Sequence, residues 1–363
     1  MSVTLDARLI VCVGSGGVGK TTTSAAVALR GALEGRRVLV LTIDPAKRLA
    51  NAMGLESLGN HPQHVPLPEA GKGRLDAMML DAKASFDALI RDTAGADADR
   101  ILKNRVYRLM ADHFAGVQEY MAVVRLYDLY ESGSWDLIVL DTPPAKHAVD
   151  FFSASSRAAA LFDERIIRWF LPSGSKEGSL LQRVFNPGAV VLKLLSVIGG
   201  EQFVAELSEF FEALHLISDK LKHRGERVDQ ILTDDQTRYI VVASPDPRRV
   251  DEAVEFHDKL GELGKRVDLF VLNRSHHHFA ETDLDTLEAA VRLSGEDAPV
   301  RGTLRRAQRF YDDLLALAER DRGAARSLGR RVQQDRVRLV PVFGKPIHEL
   351  SQLDALAGYV LNP

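Results

Sequence analysis

The sequence predicts an α/β protein: a doubly wound, mostly parallel sheet with a helical subdomain inserted. Three observations predict it. Seven short runs rich in Val, Ile and Leu alternate with helical stretches. Most of these runs are near-continuously apolar, as expected for strands covered on both faces. The first run leads straight into "GSGGVGKTT" and then a helix, the setting of a phosphate loop.

Composition narrows the function. With 27% charged and 45% hydrophobic residues, the 363-residue chain reads as a soluble globular protein. A net charge of −3 gives no electrostatic reason to expect nucleic acid as a partner. No run approaches the roughly 18 to 20 apolar residues of a membrane-spanning helix. "LIVCV" is too short for a signal-peptide core, so the expected location is cytoplasmic. Cys12 is the single cysteine. Alone it forms no internal disulfide or CxxC zinc clamp, holds no cluster within one chain, and supplies no trio of soft ligands for arsenite. It reads as a small buried hydrophobe in a strand.

The elements follow in order. "RLIVCV" (8–13) is the first strand and "TTTSAAVALRGALEG" its helix. The next strands are "RVLVLTID" (37–44), "RLDAMMLD" (74–81), "WDLIVLD" (135–141) and "RYIVVAS" (238–244), the last followed by the helix "RVDEAVEFHDKLGELG". "RVDLFVLN" (266–273) and "VRLVPVF" (337–343) complete the set. Residues 82–133 and 151–235 break the alternation and look helical almost throughout. In the second interval Val204, Leu207, Phe211, Leu214, Ile217 and Leu221 recur at spacings of three and four, giving one apolar helix face. Burying six such side chains is worth roughly 9–18 kcal/mol, so this face must meet something. Neither interval is bounded by a Pro/Gly/Ser linker. The expectation is one domain over 1–363, with its core in 1–81, 134–150 and 236–363 and a helical subdomain in 82–133 and 151–235. "PSGSKEGS" (172–179) is the candidate mobile loop. Segment 158–200 is unusually apolar and reads either as a groove for a hydrophobic helix or as core of the subdomain. "SHHH" (275–278) reads as a solvated loop run, with metal binding as the alternative.

Gly14 to Thr21 fits G-x-x-x-x-G-K-[ST] at every position. Its glycines let backbone N–H groups turn inward around phosphates, and the following helix adds the positive end of its dipole. The expected nucleotide-binding set is Gly16, Gly17, Val18, Gly19, Lys20, Thr21 and Thr22. Lys20 reaches the β- and γ-phosphates, and the Thr21 hydroxyl ligates Mg²⁺. Asp141 ends an apolar strand where a Walker B aspartate belongs, facing the Mg²⁺ shell. Asp44 ends the second strand before Pro45, where its carboxylate can orient the attacking water or a metal-bound water; an Asx-type cap for the next helix is the other reading. ATP and Mg²⁺ are the expected ligands, with Lys20 and Asp44 catalytic and Thr21, Asp44 and Asp141 on the metal side.

"GSGGVGKTT", "TIDPAKRLANAMG", "LIVLDTPPAKHAVDFF" and "FVLNR" together resemble the ArsA-type ATPases, a family of arsenite-pump ATPases and ATPases that deliver tail-anchored membrane proteins. The family lies within the deviant-Walker-A group, and the resemblance spans nearly the whole chain. It implies that Asp44-Pro45-Ala46 is switch I, with Asp44 activating water, and that Asp141 to His147 is switch II. It also implies that Asn273 reads adenine and that Pro341, Val342 and Phe343 enclose the ring. From the residue alone, Asn273 is equally a turn residue after a strand.

The departures from the family matter too. The family's signature lysine, which reaches a partner's phosphates across a dimer, is Ser15 here, and the CxxC pair is absent. Arsenite transport is therefore not expected. Lys47 and Lys146 are internal candidates for the missing cation, and a lysine-bearing paralogue is an external one. The expected partners are ATP and ADP, a homodimer or paralogue heterodimer, and a hydrophobic protein client. The resulting reading is an ATP-hydrolysing switch of ArsA type. The alternatives are a weakly active regulatory or assembly subunit and a ParA- or MinD-like positioning ATPase. A small-molecule kinase shares the loop, but nothing marks an acceptor site.

Overall fold

The computed structural model describes residues 5–44, 47–68, 72–113, 117–143, 151–152, 200–277, 298–333, 336–344 and 346–361, with isolated positions between 286 and 293. One eight-stranded sheet runs through them. Its strands are β1 (Leu9–Gly14), β2 (Arg37–Thr42), β3 (Gln63–Val65), β4 (Arg74–Met79), β5 (Leu137–Asp141), β6 (Thr237–Ala243), β7 (Val267–Ser275) and β8 (Val337–Pro341). The order across the sheet is β3-β4-β2-β5-β1-β6-β7-β8. Every neighbouring pair is parallel except β3 with β4.

The expected α/β architecture is present, with one addition. β3 is a three-residue antiparallel edge strand that the sequence analysis did not find, because "QHV" is too short and polar to show a strand pattern. Along β1 the side chains alternate: Leu9, Val11 and Val13 join one core, and Ile10 and Cys12 the other. Both cores are apolar, which is why the strand reads as an unbroken apolar run.

One face is covered by α1 (Lys20–Leu33), α2 (Arg48–Ala52) and α10 (Leu350–Leu361). Ala25, Ala26 and Ala28 of α1 are fully buried, so this helix lies close to the sheet. The other face carries α3 (Ala82–Ala94), α4 (Ala98–Lys103), α5 (Arg105–His113), α6 (Val117–Glu131), α7 (Glu201–Thr233), α8 (Pro247–Glu262) and α9 (Ala298–Arg331). α8 starts where Asp246 accepts from the Arg248 N–H and Pro247 takes the first turn.

The two long intervals meet. Asn104 donates to the Glu206 carbonyl at 2.8 Å, Arg100 pairs with Glu209 at 2.9 Å, and the Tyr120 hydroxyl donates to the Leu221 carbonyl. Leu221 is fully buried, whereas Leu207 and Phe211 are partly buried against the core. Phe210, which the expected stripe omitted, is buried too. Val204 is only half-buried, and the side chains of Leu214 and Ile217 lie outside what is described, as do residues 153–199 with the expected loop and groove.

β1 lies at the centre of the sheet. The chain passes from β1 outward through β2 to β4 and β3, returns by β5, and then builds β6, β7 and β8 on the far side. The loop after β1 therefore sits at the switch in strand order, where open α/β sheets bind ligands.

Candidate functional site

The site is assembled from the carboxyl ends of β1, β2, β5, β7 and β8. At the end of β1, a Cβ on Gly14 would meet the Val242 carbonyl oxygen at 2.0 Å, so only glycine lets the loop leave beside β6. At the start of α1, Gly19 has φ 98°, and a Cβ there would meet Asn273 Nδ2 at 2.1 Å. Gly16 and Gly17 lie on the open side of the loop, and Val18 is buried beneath it.

Lys20 is largely buried and donates from Nζ to the Ser15 carbonyl at 2.9 Å, closing the loop on itself. Burial pulls its pKa down, while the carboxylates of Asp141 and Asp44 push it back up. Ser15 is itself buried. Its hydroxyl and the Arg249 guanidinium both hydrogen-bond the Glu252 carboxylate of α8, at 2.8 Å from Arg249, and together hold that acid below its usual range against burial.

Asp141 is fully buried. Its Oδ2 accepts from the Thr21 hydroxyl at 2.8 Å and from the Thr42 hydroxyl at 2.9 Å. Its Oδ1 is buried and has no hydrogen-bond partner among the described residues. Burial pushes the carboxyl up to about 6, against the two threonine hydrogen bonds and the Lys20 charge. A buried, half-satisfied carboxylate beside a threonine hydroxyl is an oxygen donor set that a hard cation completes, so the residues present fit Mg²⁺.

Asp44 is one-quarter exposed, and its backbone N–H donates to the Thr42 hydroxyl at 3.2 Å. Arg48 Nη1 lies 3.7 Å from Asp44 Oδ2. Lys47, not Asp44, stands at the N-cap position of α2. Pro45, Ala46, Lys146 and His147 fall outside the described residues, and Lys47 is exposed.

Asn273 is buried at the end of β7. Its Nδ2 donates to the Val18 carbonyl at 2.8 Å, and its Oδ1 accepts from the Arg274 N–H at 3.0 Å. The pairing with β8 shifts register at this point, and Arg274 takes φ 63°. One amide proton and one lone pair remain for a ligand. A cavity of about 440 Å³ opens here, lined by Gly19, Thr22, Asn273, Pro341, Val342 and Phe343 among others. The structure thus gathers the phosphate-loop residues with Asn273 and the late loop, and sets Asp44 and Asp141 beside Lys20.

Sequence reasoning missed Thr42, Arg48 and Glu252. Thr42 meets Asp141 only because β2 and β5 are neighbours in register, Thr42 opposite Asp141, which no local pattern reveals. Of the histidine run, His276 is not freely solvated: its Nδ1 lies 2.8 Å from the buried Asp321 carboxylate. His277 is exposed, and His278 is outside the described residues. Among the described residues, no three His, Cys, Asp or Glu gather to hold a metal. None of the described helices is long and apolar enough to cross a membrane. Cys12 is buried in β1, and burial pushes its thiol up to about 12.

A phosphate loop at the centre of a doubly wound sheet, with a strand-end aspartate bonded to the loop threonine, defines a P-loop NTPase. Within that class the chain belongs to the anion-transporting ATPase family (ArsA type), whose model matches residues 7–293. It is 24% identical over 271 residues to "Putative arsenical pump-driving ATPase 1" of Aquifex aeolicus, covering 74% of this chain and 63% of that protein. It is 33% identical over 147 residues to the ATPase get3 of Aspergillus niger, covering 40% of this chain and 42% of that protein. An uncharacterized protein of Streptomyces coelicolor is 27% identical over 308 residues, covering 84% of this chain and 70% of its own length. The chain thus spans less than two thirds of the Aquifex and Aspergillus relatives.

Proposed function

We propose that the chain binds ATP with Mg²⁺ and hydrolyses it, and that nucleotide state is passed to the helical face of the sheet, where a hydrophobic protein client or a partner chain docks. The carrying observation is the orphaned Oδ1 of Asp141, buried beside the Thr21 hydroxyl and within the field of Lys20 and Asp44. Thr21, Asp141 and Asp44 would hold the metal and its waters. Mg²⁺, when bound, neutralises phosphate charge and fixes the oxygens it touches.

The residues divide the remaining work. Gly16 to Thr22 offer N–H groups to the phosphates, and Lys20 exchanges the Ser15 carbonyl for a phosphate oxygen. Asn273 and the walls at Pro341, Val342 and Phe343 seat the adenine. Asp44 orients a water whose oxygen bonds to the γ-phosphorus as the bond to the bridging oxygen breaks. The electron pair leaves with ADP, and the water proton passes to Asp44. Family membership and the arsenical-pump relative do not bring arsenite with them, since the one thiol of this chain is buried in a strand.

The test is the Mg-ATP hydrolysis rate per chain as protein concentration rises, with Asp44→Asn as control. A rate that climbs, saturates and disappears with Asp44→Asn is the expected result, and it also reports a dimer in the cytoplasm-like buffer used. A rate at background with ATP still bound refutes hydrolysis by this chain alone and points to a partner chain that completes the site.

A further inference from the structure

The negative charge that builds on a transferring phosphoryl group needs more cation than one lysine supplies. Position 15 offers only a serine hydroxyl, already bonded to Glu252. Lys20 is buried at the loop. Arg249 is paired with Glu252 at 2.8 Å. Arg48 differs from both. Its guanidinium pairs at 3.7 Å with Asp44, on the phosphate side of the site, and its charge is felt at Lys20 together with those of Asp44 and Asp141.

The local structure lets Arg48 move while its backbone stays fixed. Leu49, Ala50 and Ala52 of α2 are buried, which anchors the helix on the sheet. The Arg48 side chain is 64% exposed and its carboxylate contact is long, so little is lost when it turns to another anion. A γ-phosphate carries more charge than a carboxylate and matches the guanidinium fork with two oxygens.

We propose that Arg48 is a catalytic residue of the nucleotide site: it leaves Asp44 for the γ-phosphate, supplying the transition-state cation that Ser15 cannot. This rests on the hydrolytic reading above. The exchange serves both groups at once. Arg48 takes charge from the phosphoryl oxygens, and Asp44 exchanges that ion pair for the proton of the attacking water. Arg48 itself neither gains nor loses a proton.

The experiment compares Arg48→Ala, Arg48→Lys and Arg249→Ala in the full chain, reading ATP turnover, ADP affinity, and retention of ADP with aluminium fluoride as a transition-state mimic. Arg48→Ala is expected to lower kcat about 10³-fold with KM little changed, and to lose retention of the mimic. Arg48→Lys recovers part of both, and Arg249→Ala keeps both. Retention of the mimic by Arg48→Ala at the wild-type level overturns the proposal, even if turnover falls. In that case Arg48 acts only by positioning Asp44. A loss that follows Arg249 and spares Arg48 overturns it as well. A wild-type chain without turnover refutes the proposed hydrolysis, while the mimic still reads Arg48 on its own.

Discussion

Asp141 is held at a cost, and the cost is measurable. A rise of its pKa from 3.8 to about 6 means that the folded protein prefers the protonated acid. For a group raised in this way, the stabilising contribution is present below the unfolded pKa and lost as pH climbs through about 6. The difference amounts to about 3 kcal/mol at neutral pH. Asp141→Asn keeps an acceptor for Thr21 and Thr42 and removes the charge. It is expected to stabilise the ligand-free chain by roughly 1–3 kcal/mol at pH 7.5 and hardly at all at pH 4. The same variant should lose magnesium-dependent nucleotide affinity. Urea unfolding at the two pH values reads the first effect, and equal gains at both would refute the argument. Asn273 makes a second test. Truncation to Ala leaves the Val18 carbonyl unpaired and frees the adenine edge of the cavity. The loss of about 1–3 kcal/mol should appear as roughly a 5- to 160-fold fall in affinity for ATP and ADP alike in a fluorescent-nucleotide titration. A fall for ATP alone would place Asn273 at the wrong end of the nucleotide.

Among the elements, α7 shows what periodicity can and cannot specify. The spacing of Leu207, Phe211 and Leu221 revealed a helix, and the helix is there. Which side chains the fold buries deepest depended on α3, α5 and α6, which lie about a hundred residues away in the chain. Asn104, Arg100 and Tyr120 reach α7 from that distance. The same limit explains the site. The loop glycines, Lys20 and Thr21 were legible because phosphate geometry demands them at fixed offsets. Thr42 and Glu252 were not, because adjacency of β2 with β5, and of α8 with the loop, exists only in the folded sheet. β3 was missed for lack of any pattern at all. The α6–α7 contact can be tested by itself. Leu221 is fully buried between these helices and the core, so Leu221→Ala should cost about 2–5 kcal/mol in unfolding free energy. ADP affinity should stay within about twofold, since Leu221 lies in the helical-face core and not among the residues that line the nucleotide cavity. A variant of unchanged stability would show that α7 is loosely docked.

The described residues form two apolar cores on opposite faces of one sheet, and the proposed nucleotide site touches them differently. The cavity proposed for adenine rests on the α1–α10 face: Ile347 and Leu356 line it, and Phe343, Ile347 and Leu350 pack against that core. Beyond Asp141, at the proposed phosphate end, the described residues stop at Pro143 and resume with Phe151 and Phe152. Both rings are buried in the helical-face core, with Phe152 set edge-on to Tyr239 at 5.8 Å. Tyr239 in turn donates to the Leu232 carbonyl near the end of α7. Among the described residues, Ile138 and Leu140 of β5 share this core with Phe152, Tyr239 and Leu232, so packing joins β5 to α7 on that face. ADP and ATP differ by the γ-phosphate, so their difference should register on that face. The measurement is hydrogen exchange on Asp44→Asn, which stops turnover, with no nucleotide, ADP, and ATP, all with magnesium. Binding either nucleotide should slow exchange in α10, because the adenine cavity is common to both. Exchange in the residues around Tyr239 and the second half of α7 should change only between ADP and ATP. A γ-phosphate response confined to the loop and β5 would refute coupling through the helical face and leave the client without a signal to read.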